Sequence, residues 1–238
     1  MAADEAPVVA VDGPSGSGKG TLAAALARRL RFHYLDSGAL YRIVARAGLD
    51  AGIPVTDGPA LAALATGLAI EFDLGPTAVT VRVDGVDRSS AIRAEPISVA
   101  ASQVAALPAV RAALLAVQRS FRKRPGLVAD GRDMGTVVFR DARLKIFLEA
   151  SAESRAERRY NQLRHNQLMD KDLGVSLRGL LESIRERDQR DRSRAASPLV
   201  AAPDAVVIDS THLSIDAVFA VVWQHVVAAG IGARPAGD

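Results

Sequence analysis

Near its N-terminus the chain carries an apolar run, Val8-Val9-Ala10-Val11, then Asp12, then Gly13-Pro14-Ser15-Gly16-Ser17-Gly18-Lys19-Gly20-Thr21, then an Ala/Leu-rich segment. A short continuous apolar run bounded by turn residues reads as a buried parallel strand. The glycines let the backbone wrap an anion closely, and a helix starting just beyond aims its first N–H groups and positive dipole end at that anion. Strand, anion cradle and helix in direct succession point to a parallel α/β sheet with its ligand beyond the carboxyl ends of the strands.

The spacing Gly13-x4-Gly18-Lys19 matches the Walker A pattern, in which the lysine supplies a compact cation to the β and γ phosphates. Here Gly20 follows the lysine and the hydroxyl comes one residue later, as Thr21. In many P-loop ATPases the hydroxyl directly after the lysine ligates Mg²⁺, so this ending points to the small-molecule kinases of the class. Gly13, Pro14, Ser15, Gly16, Ser17, Gly18, Lys19, Gly20 and Thr21 are the expected ATP-phosphate contacts. Mg²⁺ is expected to enter as MgATP, held mostly by phosphates and water, with Thr21 the candidate protein ligand. An incidental Gly/Ser loop before a helix is the plain alternative.

Composition narrows the class further. At 238 residues the chain is long enough for one body with inserted subdomains. Cysteine is absent, which excludes disulfides, thiolate catalysis and Cys-ligated zinc and suits a reducing compartment. No run approaches the roughly 18 apolar residues of a membrane span, so a cytoplasmic protein without membrane partners is expected. The net charge of +3 is local: Arg155–Arg194 holds 11 Lys/Arg against 7 Asp/Glu. A polyanion binder would carry a broader basic stripe with stacking aromatics, yet aromatics are 4% here. The arginines suit a small, highly charged ligand, and no nucleic-acid partner is expected.

Strands are expected at Val8–Val11, Phe32–Leu35, Leu127–Asp130, Leu144–Leu148 and Ala205–Ile208, with a helix over Lys19–Arg31. The phosphate loop, Asp36-Ser37 and Asp130-Gly131-Arg132-Asp133 then fall at strand ends on one edge. Val79, Val81 and Val83 alternate with polar residues before Asp84-Gly85, which reads as an antiparallel hairpin. Two helical runs meet at Leu107-Pro108, the second with Val110, Leu114, Val117 and Phe121 on one stripe. Ser151 is a plausible N-cap for a helix carrying Arg155, Arg158 and Arg159, with Glu153 in its first turn. A helix from about Leu177 puts Arg187, Asp191 and Arg194 on one face before Ser197-Pro198.

Four segments together, the Gly13–Thr21 loop, Asp36-Ser37-Gly38-Ala39-Leu40-Tyr41-Arg42, Asp130–Phe139 and Glu186-Arg187-Asp188-Gln189-Arg190-Asp191-Arg192, resemble the bacterial cytidylate kinases. The likeness spans Pro7 to about Ala217. It implies a nucleoside monophosphate kinase fold: a P-loop kinase core with a five-stranded parallel sheet flanked by helices, an inserted monophosphate-binding subdomain with antiparallel strands, and a helical lid. The core is expected at about 7–69, 122–154 and 195–229, the insertion at about 70–121, the lid at about 155–194 and a tail at 230–238.

The implied reaction is transfer of the γ-phosphoryl group of ATP to CMP or dCMP by a monomer. It needs no protein base, because a phosphate monoester with a second pKa near ~6 is already ionised. Positioning and positive charge must carry it, and arginine's planar fork pairs phosphate oxygens bidentately. By the resemblance Arg42, Arg132 and Arg194 hold the CMP phosphate, and Arg187 and Asp191 lie at the ribose. Ser102, Arg111 and Asp133 read cytosine, and Ser37 and Tyr41 line the monophosphate pocket. Lys19, Arg132, Arg187 and Arg194 are the catalytic set, with Arg158 a lid arginine on ATP.

Plainer readings stand beside these. Asp36 fits a helix N-cap as well as a ligand role; Arg155, Arg159 and Arg190 fit solvated surface charges; Arg132 and Asp133 fit a surface ion pair; Trp223 fits a core anchor of the last helix. The connector 164–175 is several residues longer than the family pattern. A kinase for another small acceptor is the rival within the class. A guanine-specific switch is disfavoured because no Asn-Lys pair occurs in the chain.

Overall fold

The computed structural model describes residues 5–165, 176–194 and 197–232. In chain order its elements are β1 (Val8–Asp12), α1 (Lys19–Leu30), β2 (His33–Asp36), α2 (Ser37–Asp50), α3 (Gly58–Gly67), β3 (Ile70–Leu74), β4 (Val79–Val83), β5 (Val86–Asp87), α4 (Glu95–Val104) and α5 (Pro108–Ser120). There follow β6 (Leu127–Gly131), β7 (Leu144–Glu149), α6 (Ala152–His165), α7 (Leu177–Ser193), β8 (Val206–Asp209) and α8 (Ile215–Ala228).

Five strands form a parallel sheet in the order β2-β6-β1-β7-β8. Every residue of β1 and β6 is buried, as their unbroken apolar runs require when helices cover both faces. Alternate β1 residues serve opposite layers. Val8 and Ala10 pack with Leu40, Leu114 and Leu127, whereas Val9 and Val11 pack with Leu22, Leu26, Val222 and other side chains of α1 and α8. With β1 central, the segments after β1, β2, β6 and β7 open on one edge.

The hairpin expected around Asp84-Gly85 is real and gains a third strand, in the order β3-β4-β5. Asp84 and Gly85 both take positive φ, 51° and 78°, the pairing that a tight two-residue hairpin turn demands. This small sheet docks through Phe72, whose ring lies 6.0 Å from Tyr34 and 5.4 Å from Phe121. Arg28 Nε also donates to the Gly75 carbonyl at 2.8 Å.

Helices α4 and α5 bury Val104, Val110 and Leu114 in the same cluster as β1 and β6. They run past one another at 101° and together match the length and composition of a bent membrane span, but their apolar faces are spent on this core. No single helix among the described residues is long and apolar enough to cross a membrane. Trp223 stacks on Phe219 at 5.9 Å, with the Arg29 guanidinium 5.4 Å from its ring, so it anchors α8 as the sequence suggests. Helix α2 starts where the N-cap reading of Asp36 places a helix, whereas α3 was not among the expected elements. Each starts on an aspartate side chain: Asp36 accepts from Ala39 N at 2.9 Å and Asp57 from Ala60 N at 3.0 Å. Residues 166–175 of the long connector and 233–238 of the tail lie outside the described residues.

Candidate active site

A cleft of about 720 Å³ opens at the carboxyl edge of the sheet. Among the described residues eight Lys/Arg line it against four Asp, a surplus of positive charge suited to phosphate-bearing ligands. Of the sequence-predicted site residues, all line this cleft except Gly13 and Pro14. Those two have internal duties. A Cβ on Gly13 would sit 2.2 Å from the Leu148 carbonyl oxygen, and the Pro14 carbonyl lies 3.4 Å from Lys19 Nζ.

At the donor end, Lys19 begins α1 and lies 3.8 Å from Asp130 Oδ1. Burial, then the charge of Arg132, lowers the Lys19 ammonium to about 8, while burial lifts Asp130 to about 6 against the pull of Lys19. Asp130 also explains the Gly20-Thr21 ending, since a Cβ on residue 20 would come within 2.9 Å of its Oδ2. Thr21 is exposed at the next position. Arg158 reaches the loop, donating to the Ser17 carbonyl at 3.3 Å and to Ser210 Oγ at 3.2 Å. Ser210, 1% exposed, donates in turn to the carbonyl oxygens of Ser17 and Glu149.

At the opposite end Asp36 takes the N-cap role, and its second oxygen is bound by a side chain of the protein itself. It caps α2 through Oδ1 and holds Arg42 through Oδ2 at 2.8 Å. Arg132 and Asp133, adjacent in sequence, do not pair with each other. Arg132 Nε donates to Asp191 Oδ2 at 2.9 Å, and Asp133 closes on Arg111, whose guanidinium lies 5.8 Å from the Tyr41 ring. Asp191 accepts from Arg194 as well. Burial pushes the Asp191 carboxyl up, but Arg132, Arg194 and Arg187 overcome it and hold it below the usual range.

Unlike Arg42, Arg132 and Arg194, Arg187 makes no ion pair among the described residues. Its Nε is buried without a hydrogen-bond partner among the described residues, and burial together with the charge of Arg132 lowers it to about 10. Arg42 Nε, Arg194 Nε and Ser102 Oγ are likewise buried and unpartnered. A cation crowded by cations in a desolvated site is relieved by an anion, so these side chains form a ready receptor for phosphate oxygens.

Several residues here escaped sequence reasoning. Asp12 accepts from Met134 N and Gly135 N, both at 2.8 Å, and so pins the segment following Arg132-Asp133 to the strand that feeds the phosphate loop. Burial lifts its carboxyl to about 7. A carboxylate ending an apolar strand was the available signal for both Asp12 and Asp130. Gln118, 2% exposed, donates to Ser37 Oγ at 2.9 Å. It lies four residues after Leu114 on the buried stripe of α5, where a polar side chain needs a partner. The reading of Arg155 as a surface charge is corrected: it is 3% exposed and paired with Asp188, because the fold brings α6 and α7 together over the phosphate loop. Arg159 bridges to Glu95 of α4 at 3.1 Å.

A parallel sheet, a Walker-type loop at its central strand and a cationic cleft at the same edge define a P-loop kinase. The family model for cytidylate kinase matches residues 9–228. A cytidylate kinase of Aeromonas salmonicida is 54% identical over 220 residues, covering 92% of this chain and 94% of that protein. One from Pseudomonas aeruginosa is 53% identical over 221 residues, with the same coverage. An uncharacterized protein from Eubacterium ventriosum, 9% identical, superposes with a TM-score of 0.50 over 93% of this chain and 99% of its own, a likeness of fold alone. The chain belongs to the cytidylate kinase family and is an ATP-dependent phosphotransferase.

Proposed function

We propose that the cleft transfers the γ-phosphoryl group of ATP to CMP or dCMP, giving ADP and CDP or dCDP. An ionised oxygen of the acceptor phosphate attacks the γ-phosphorus, and the bond to the β–γ bridging oxygen breaks in line. Lys19 and the loop amides hold the donor phosphates, with Arg158 beside them. Arg42, Arg132 and Arg194 hold the acceptor phosphate, while Arg187 and Asp191 serve the ribose end, with Arg187 adding its charge to the transfer. No side chain takes a proton, and preorganised positive charge lowers the barrier.

The observation that carries the acceptor assignment is the closed pair of Asp133 and Arg111 beside Tyr41 and the unpartnered Ser102 hydroxyl. Asp133 can accept from the exocyclic amine of cytosine, whereas the carbonyl at that place in uracil meets a carboxylate. Gln118, donating to Ser37 Oγ, leaves the Ser37 proton available to a substrate acceptor.

Mg²⁺ fits the donor end. Asp130 Oδ1 is a buried hard oxygen without a hydrogen-bond partner among the described residues, 3.8 Å from Lys19 Nζ, and the Thr21 side chain lines the same cleft. Bound with ATP, the ion would neutralise charge on the β and γ phosphate oxygens. The reading extends to a monomer in the cytoplasm: both pockets are lined by one chain, and the lack of cysteine suits a reducing compartment.

The test is Asp133→Ala. The ratio of kcat/KM for CMP to that for UMP should fall about tenfold or more, with the KM for ATP within about threefold of wild type. An unchanged ratio would remove the base-reading role.

A further inference from the structure

Arg155 stands between two arginine-bearing sets yet lines neither pocket. Its guanidinium is held on every nitrogen by the protein. Nε donates to the Ala150 carbonyl at 2.9 Å, and Nη1 donates to the Ser15 carbonyl at 3.0 Å and to Asp188 Oδ1 at 2.9 Å. Nη2 closes the fork on Asp188 Oδ2. Four of its five N–H groups are thus engaged by the protein, and the side chain does not line the cleft, so it acts through what it holds.

What it holds spans the cleft. Ser15 belongs to the phosphate loop, and the loop packs directly on Arg155: a Cβ on Gly16 would lie 3.2 Å from the Arg155 Cβ. Asp188 is buried on α7, next in sequence to Arg187 and less than one turn before Asp191, which pairs with Arg132 and Arg194. One planar group therefore grips the donor loop and the acceptor helix at once.

We infer that the Arg155–Asp188 pair is a positioning device that sets the register of the acceptor helix α7 against the donor loop. The inference rests on the reading of Arg187, Asp191 and Arg194 as acceptor-side groups. Its consequence is kinetic. In-line transfer between two polyanions depends on alignment, and a misplacement of about 1 Å can cost about 10²-fold in rate. A lysine at position 155 keeps the charge, but its single ammonium cannot reproduce a planar fork across Ser15 and both carboxylate oxygens.

The measurement is steady-state kinetics on Arg155→Lys and on the near-isosteric Asp188→Asn, each well below its melting temperature. Expected is a kcat lowered about 30-fold, with KM for CMP and for ATP each within about threefold of wild type. A lowered melting temperature with kcat within about twofold of wild type would overturn the inference and leave a purely structural strut. A rise in KM at unchanged kcat would overturn it too. If the pair acts through α7, Arg155→Lys combined with Arg187→Lys should lose less than the product of the single losses, and strict additivity would contradict that route. Arg187→Lys with unchanged constants would overturn the acceptor reading itself, whatever Arg155→Lys does.

Discussion

Lys19→Met should lower kcat by about 10³-fold, equivalent to about 4 kcal/mol of lost transition-state stabilisation. Lys19 is the one lysine lining the cleft among the described residues, and it sits at the phosphate-loop end where the γ-phosphoryl group is proposed to leave ADP. Methionine keeps the apolar stem and removes the ammonium, so folding should survive. A second readout follows from the environment of the side chain. Burial, then Arg132, brings Lys19 to about 8, and the protonated form is the one that binds phosphate. In the free wild-type enzyme, kcat/KM for ATP should therefore fall as pH rises through about 8. A Lys19→Met enzyme that retains a tenth or more of the wild-type kcat would contradict the assigned role.

The other large effect concerns Arg187. Arg187→Ala should reduce kcat/KM for CMP by about 10³-fold while leaving the KM for ATP within about threefold, the scale seen when an arginine facing a transferring phosphoryl group is removed. The structural reason is its isolation. Arg132 and Arg194 pair with Asp191, and Arg42 with Asp36, but Arg187 makes no ion pair or side-chain hydrogen bond among the described residues. Its charge is held in a desolvated, cation-rich place where an anion gains most. Equal losses in the terms for both substrates would point instead to a general collapse of the cleft.

Much of this was legible in the sequence because the chemistry is local. The strand Val8–Asp12, its glycine loop and α1 are continuous, so periodicity and glycine spacing give both the sheet's centre and its phosphate site. The Val79-Val81-Val83 alternation gave the hairpin for the same reason. For Asp36, cap and ligand role require the same residue at a strand end, and the structure shows the cap together with a pair to Arg42. What the sequence could not give is pairing across distance. Arg155 and Asp188 are 33 residues apart, Gln118 and Ser37 are 81 apart, and Asp12 and Gly135 are 123 apart. No spacing rule links such residues; only the sheet order and the packing of α5, α6 and α7 bring them together. The Gly20-Thr21 ending shows the same limit. It was readable as a class signature, but its cause, the Asp130 carboxylate occupying the space of a Cβ, needed the third dimension.

The central claim is a two-nucleotide cleft whose acceptor half reads cytosine through Asp133, Arg111 and Ser102. An ATP-coupled assay of the wild-type protein over CMP, UMP, AMP and GMP tests it most directly. The geometry predicts that CMP is phosphorylated with a kcat/KM at least about 10²-fold above each of the other three, the margin a site built around one buried polar group can impose. Phosphorylation of UMP or AMP as fast as CMP would contradict it.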